Sequence, residues 1–177
     1  MTDEEIANVQ IAAMNAGVRI DYSIPRPWQQ KWLDVTDGLE QIQAIYDQNN
    51  IDDRHIRRSV EQFFEDCRDL ADWLSQAGKK RQAEDHVYSD PDLLFANAMA
   101  QTTKHHTRDP GRNPKKEPDP ISARVLTIMG SGGNGVRVEI DFVSNAFNGR
   151  KDALDLAQRC VTAWLSFFPQ ESLDQNG

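Results

Sequence analysis

Between residues 56 and 74, Ile56, Val60, Phe63, Phe64, Cys67, Leu70, Ala71 and Leu74 recur at steps of three and four. That spacing puts every one of them on one side of an α-helix. The opposite side is charged: Arg57, Arg58, Glu61, Glu65, Arg68, Asp69 and Asp72. A seam this long and this apolar cannot be left in water, so the rest of the chain has to cover it.

Other segments carry the same period. Trp28, Trp32, Val35, Leu39, Ile42 and Ile45 predict a helix from about Pro27 to Gln48, with Asn49-Asn50 ending it and Gly38 weakening it slightly. The 56–74 seam predicts a helix capped by Asp52 or Asp53 that lasts to about Gln76, with Gly78 as its stop. Gly78-Lys79-Lys80-Arg81 reads as a basic turn. Ser89 or Asp90 can cap another helix, with Pro91 at its first position, running to His105 or His106. A last helix is expected from Lys151-Asp152 to Phe168, carried by Ala153, Leu154, Ala157, Cys160, Val161, Trp164 and Leu165 and stopped by Pro169.

Residues 121–129 are β-branched and apolar. Val136, Val138, Ile140 and Phe142 alternate with Arg137, Glu139 and Asp141, and Ser131-Gly-Gly-Asn-Gly135 is the turn between. These two runs predict a hairpin over 121–143 that packs on the helices, since a lone hairpin is marginal. At the N-terminus, Thr2 and Glu5 have capping-box spacing and predict a short helix to Ala16, followed by an extended lead-in over 18–25. Residues 107–120 hold four of the eight prolines and predict an exposed, protease-sensitive loop. The expected architecture is mainly α: a bundle of about four longer helices with one β-hairpin inserted before the last. Residues 1–25 form a lead-in, 26–169 a single domain and 170–177 a polar tail.

The net charge of −8 argues against broad attraction to nucleic acid or anionic membrane. Met1-Thr-Asp-Glu-Glu5 is acidic, which predicts no signal peptide, and no apolar run approaches the roughly 20 residues of a membrane span. A cytoplasmic chain is expected. Cys67 and Cys160 both sit in apolar helical patterns, which predicts buried free thiols.

Three features bear on chemistry. Lys104-His105-His106-Thr-Arg108 stands at a predicted helix end, where cations complement the dipole whatever else they do. Adjacent histidines point about 100° apart on a helix, so the pair is no metal-ligand motif; no metal and no cofactor is expected. Lys104, Arg108, Arg112, Lys115 and Lys116 against Asp109 give residues 104–116 a formal charge of +4, which leaves −12 for the remainder of the chain. That stretch is either a solvated loop or an anion patch through Lys104, Arg108 and Arg112. Arg81 and His86 have the arginine–histidine spacing of ribonucleases of the HEPN superfamily, a spacing that chance supplies about once in a chain with this many of both residues. Gly130-Ser-Gly-Gly-Asn-Gly135 falls between strands and reads as a turn rather than a phosphate cradle.

Phe63-Phe64-Glu-Asp66-Cys-Arg-Asp-Leu70-Ala-Asp72-Trp73-Leu74, then Asp92-Leu93 through Asn97 to Lys104-His105, then Asp152-Ala153-Leu154-Asp155 to Trp164 together resemble a family of small bacterial helical proteins with an HEPN-like layout. The resemblance covers about residues 28–168. It implies a role in toxin–antitoxin or antiphage systems and marks Lys104-His105 as the motif pair. The chain departs from the pattern at Ala98, where the family carries aspartate, and at Gln101, where it carries asparagine. Two functions are expected from this. One is a non-catalytic interaction or regulatory subunit with a protein partner or a second copy of itself. The other is an RNA- or nucleotide-processing enzyme with His105 as acid/base and Lys104 neutralising phosphate charge, binding through residues 104–116.

Overall fold

The computed structural model describes residues 27–48, 52–105, 121–130 and 135–173, and for Lys104 and His105 the backbone alone. The expected N-terminal helix, the extended lead-in, the proline-rich segment and most of the glycine turn lie outside the described residues. So does the end of the tail.

Helix α1 (Trp28–Tyr46) buries Trp28, Trp32, Val35, Ile42 and Ile45, the stripe legible in its spacing. Helix α2 (Asp53–Trp73) buries Ile56, Val60, Phe63, Phe64, Cys67, Leu70 and Ala71 and tightens into a 3-10 turn, Leu74–Ala77. Gly78, with φ 71°, closes that turn as a left-handed cap. The basic residues beyond it form more than a turn: a further helix, α3 (Lys80–Ser89), starts almost at once. Only Ala83 and Val87 are buried there. Two apolar residues give no periodic signal, so the described residues hold five helices where four were expected. Helix α3 is held in place by packing on α2 and α4, not by propensity.

Helix α4 (Pro91–His105) begins as expected. The Asp90 carboxylate accepts the Asp92 and Leu93 amides at 2.9 and 3.0 Å. It then runs through the middle of the molecule, touching α2, α3, strand β1 (Ser122–Gly130) and helix α5 (Ala153–Gln170). Residues 95–100 are all buried, so at that level the helix is apolar on every side but that of Asn97. Pro169 lies inside α5, which ends at Gln170 rather than at Phe168. A proline in the last turn removes one amide bond and forbids much further helix. Among the described residues no helix is long and apolar enough to cross a membrane.

The hairpin is real but has a third strand. Strand β2 (Val136–Val143) pairs antiparallel with β1 on one side and with β3 (Asn148–Asp152) on the other. Leu126 faces Ile140 and Ile128 faces Val138, with a bulge between Ala123 and Val125. Strand β3 reads Asn-Gly-Arg-Lys-Asp, with no strand-forming side chain in it. It pairs because Arg150, opposite Asp141, reaches both Asp141 at 2.8 Å and Glu139 at 2.9 Å. Asp152 therefore ends a strand and caps α5, its carboxylate accepting the Asp155 amide at 3.0 Å.

Tyr46 joins α1 to this corner. Its Oη accepts the Val138 amide at 3.1 Å and the Leu154 amide at 3.3 Å. It lies 3.0 Å from the Val138 carbonyl and 3.2 Å from the Asp152 carboxylate, either of which can take its proton. Burial pushes the phenol up to about 12, with the amide bonds to Val138 and Leu154 opposing and the Asp152 charge adding. In the unfolded chain a tyrosine ionises near 10. The folded form therefore holds its proton to higher pH, and the stability linked to Tyr46 is complete below about pH 10 and lost as pH rises toward 12. Thermal melts between pH 9 and about 12 should show a steeper decline for the wild type than for Tyr46→Phe. Parallel declines would show that the phenol does not titrate with unfolding.

Candidate functional site

The motif residues behind the family resemblance act as scaffold. Asp66 is buried on α2, where its carboxylate takes Lys31 of α1 at 2.9 Å and Gln62 at 3.1 Å. Lys31 also reaches Asp34 at 2.9 Å and lies 5.3 Å from the centre of the Trp73 ring. Burial works against the Lys31 charge, but its bonds to Asp66 and Asp34 hold its pKa above the ordinary lysine value. Arg68 Nε donates to Asn97 Oδ1 at 3.1 Å, tying α2 to α4, and its Nη1 reaches Asp72 at 3.4 Å. Asp66 and Trp73, through Lys31, and Asn97, through Arg68, thus clamp three helices together, while Asp72 braces Arg68 within α2. Ala98, one of the two departures from the pattern, is fully buried; a carboxylate there would be taken out of water.

Arg81 and His86 do not converge. Both stand on α3, five residues apart and so pointing about 140° from each other. Arg81 is exposed and lies 3.9 Å from Asp85. His86 packs inward, its Nε2 3.1 Å from the Ala163 carbonyl, its ring stacked on Phe167 at 5.0 Å and edge-on to Trp164. It fixes α3 to α5. Cys67 and Cys160 are free and fully buried against each other, and burial and their mutual contact push the Cys160 thiol well up, away from nucleophilic use.

Lys104 and His105 are the last two residues of α4. Their side chains, and all of Arg108, Arg112, Lys115 and Lys116, lie outside the described residues. Thr102 and Thr103, one step earlier on the same helix, line the wall of a cleft of about 450 Å³. Their hydroxyls donate back to the Ala98 and Met99 carbonyls at 2.9 and 3.0 Å, so toward the cleft they offer methyls and lone pairs. Met99, Ala123 and Ile140 make its apolar floor. The opposite wall is the first half of α2, and β1 forms the third side.

A second cleft of about 500 Å³ shares Arg57, Arg124, Val125 and Leu126 with the first, so the two form one groove between α2 and β1. Three guanidinium groups border it: Arg54 and Arg57, one turn apart on α2, and Arg124 on β1. Arg57 is paired with Glu61 at 2.8 Å, which raises its pKa, yet remains two-thirds exposed. Arg54 and Arg124 have no side-chain partner among the described residues. Five charged side chains stand here, the three arginines with Asp53 and Glu61, giving a net positive site on a molecule whose total is −8.

From the sequence, Arg57 and Arg58 are merely part of a charged helix face, and Arg124 is one polar residue in a strand. The available signal was the i, i+3 pair Arg54 and Arg57 on a helix otherwise balanced by acids. Nothing in the spacing links them to Arg124. Among the described residues no group of three or more His, Cys, Asp or Glu could hold a metal ion. No protein-family model, curated protein or solved structure matches this chain.

Proposed function

We propose that this chain is a non-catalytic interaction subunit of HEPN-like helical type, serving a cytoplasmic toxin–antitoxin or antiphage assembly. In this reading it holds an anionic partner protein in the groove between α2 and β1. The observation that carries the reading is a groove in which Arg57 and Arg124 flank the apolar floor and Arg54 lines its continuation. Guanidinium forks bind carboxylates in paired geometry, and an apolar floor adds contact area at the centre of the bound patch. The motif polar residues support the same reading, since Asp66 and Asn97 are engaged in holding helices together and Asp72 in bracing Arg68.

A labelled ten-residue oligoglutamate should bind the wild type saturably at low salt. Charge reversal in Arg57→Glu/Arg124→Glu should weaken it at least about tenfold, the scale set by losing two charge-assisted contacts at a surface. Equal binding by both proteins would remove the groove from the function.

The second reading is an RNA- or nucleotide-processing enzyme built on Lys104 and His105. Its support is position: the two residues come directly after Thr103 on the helix that walls the groove. His105 would serve as acid/base and Lys104 would neutralise phosphate charge, with Arg108 and Arg112 extending the anion contacts. RNA or nucleotide turnover by the wild type that disappears in His105→Ala would establish it and displace the first reading.

A further inference from the structure

Strand β1 is an edge. It pairs with β2 on one side, and among the described residues no strand pairs with its other side. An uncovered edge presents a row of unpaired amides and carbonyls, and proteins usually guard it with charge, proline or brevity. The opposite edge of this sheet is guarded in that way. Strand β3 is five residues long, and its Arg150 is clamped to Glu139 and Asp141. β1 is different: nine residues long, with Val125 52% and Met129 36% exposed and only one charged side chain, Arg124. Its bulge is confined to the first residues, and from Val125 to Gly130 the pairing with β2 is regular.

The groove runs beside this strand, lined by β1 residues from Ala123 to Ile128. At about 3.3 Å per residue, that stretch matches five or six residues of an extended chain. We infer that the groove takes an extended acidic segment of a partner protein, which adds to the free edge of β1 as a further strand. The inference rests on the interaction reading above and names the form of its partner. Side chains of an added strand alternate between two faces. The set on the helix side of the sheet meets Arg54 and Arg57 of α2, which asks for Asp or Glu; the set on the other face lies along the exposed Val125 and Met129 of β1, which asks for Val, Ile or Leu. RNA fits this groove less well. No aromatic side chain lines it to stack a base.

The test uses the full chain and a labelled peptide, acetyl-Val-Glu-Val-Glu-Val-Glu-Val-amide, followed by fluorescence anisotropy. Two further peptides carry backbone N-methyl groups on alternate residues, one on the odd positions and one on the even. N-methylation removes strand hydrogen bonds and leaves every charge in place, and the protein itself is untouched. The parent should bind saturably. One methylated form should lose at least about tenfold in affinity and the other should keep it, because an added strand bonds through one of its edges only. Equal binding of all three peptides would overturn strand addition and leave a charge-only groove, with the interaction reading intact. A parent peptide that fails to bind at about 1 mM would also overturn the inference. Loss of the reading beneath it looks different: there, oligoglutamate binds wild type and Arg57→Glu/Arg124→Glu alike. Binding of a single-stranded RNA decamer, abolished by that double variant while no peptide binds, would reassign the groove to phosphate.

Discussion

Replacing Trp164 with alanine should cost about 3–5 kcal/mol, the range for deleting a large buried aromatic. The side chain is fully buried on α5, and its ring meets His86 at 5.5 Å, Phe167 at 5.6 Å and Phe168 at 6.3 Å. Phe168 in turn packs on Trp28 and Trp32 of α1, at 5.1 and 4.9 Å. One indole thus supports the contacts of α3 and of α1 with α5. Deleting it leaves a cavity that three helices would have to move to fill, and rigid packing resists that movement. Its Nε1 has no hydrogen-bond partner among the described residues. Trp164→Phe removes that unsatisfied donor while keeping most of the ring, so it should cost clearly less than alanine. Urea unfolding followed by circular dichroism reads both. A midpoint for Trp164→Ala close to wild type would show that the α3–α5–α1 contacts are not organised around this residue.

Gly135→Ala should be nearly as damaging, at roughly 2–5 kcal/mol, from a residue with no side chain at all. Gly135 enters β2 with φ at 91°, where any other residue is strained. A Cβ there would overlap the carbonyl oxygen of Tyr46 at the end of α1. Relieving the overlap means pushing α1 off the sheet at the point where Tyr46 bonds to Val138, Asp152 and Leu154. Gly130→Ala is the control, since nothing lies within 4 Å of a Cβ at that position. If the two glycine variants unfold at the same urea concentration, the close approach of Tyr46 to the hairpin is not what requires glycine at 135.

The pattern of side chains along the chain was enough to place α1, α2, α4, α5 and the β1–β2 hairpin, because each buries a face whose period is local. Asp90 with Pro91, and Gly78, marked boundaries by backbone chemistry that acts within a few residues. The two elements missing from that pattern share a cause. Helix α3 buries two residues and is held by His86 against α5; strand β3 is held by Arg150 against Glu139 and Asp141. Neither has a hydrophobic period, because each is stabilised by partners remote in sequence.

The same division runs through the candidate site. Charge counting along the sequence singled out Lys104, His105, Arg108 and Arg112, since charge clusters are visible when the residues are neighbours. Arg54, Arg57 and Arg124 were invisible as a group: two lie on a helix face crowded with acids and the third on a strand some seventy residues later. The seams of α1, α2, α4 and α5 and the alternation of β2 determined, by themselves, which faces had to be buried. Which exposed charges would end up facing one another was decided only by the tertiary structure, because burial is dictated by each element's own period and convergence depends on how separate elements pack.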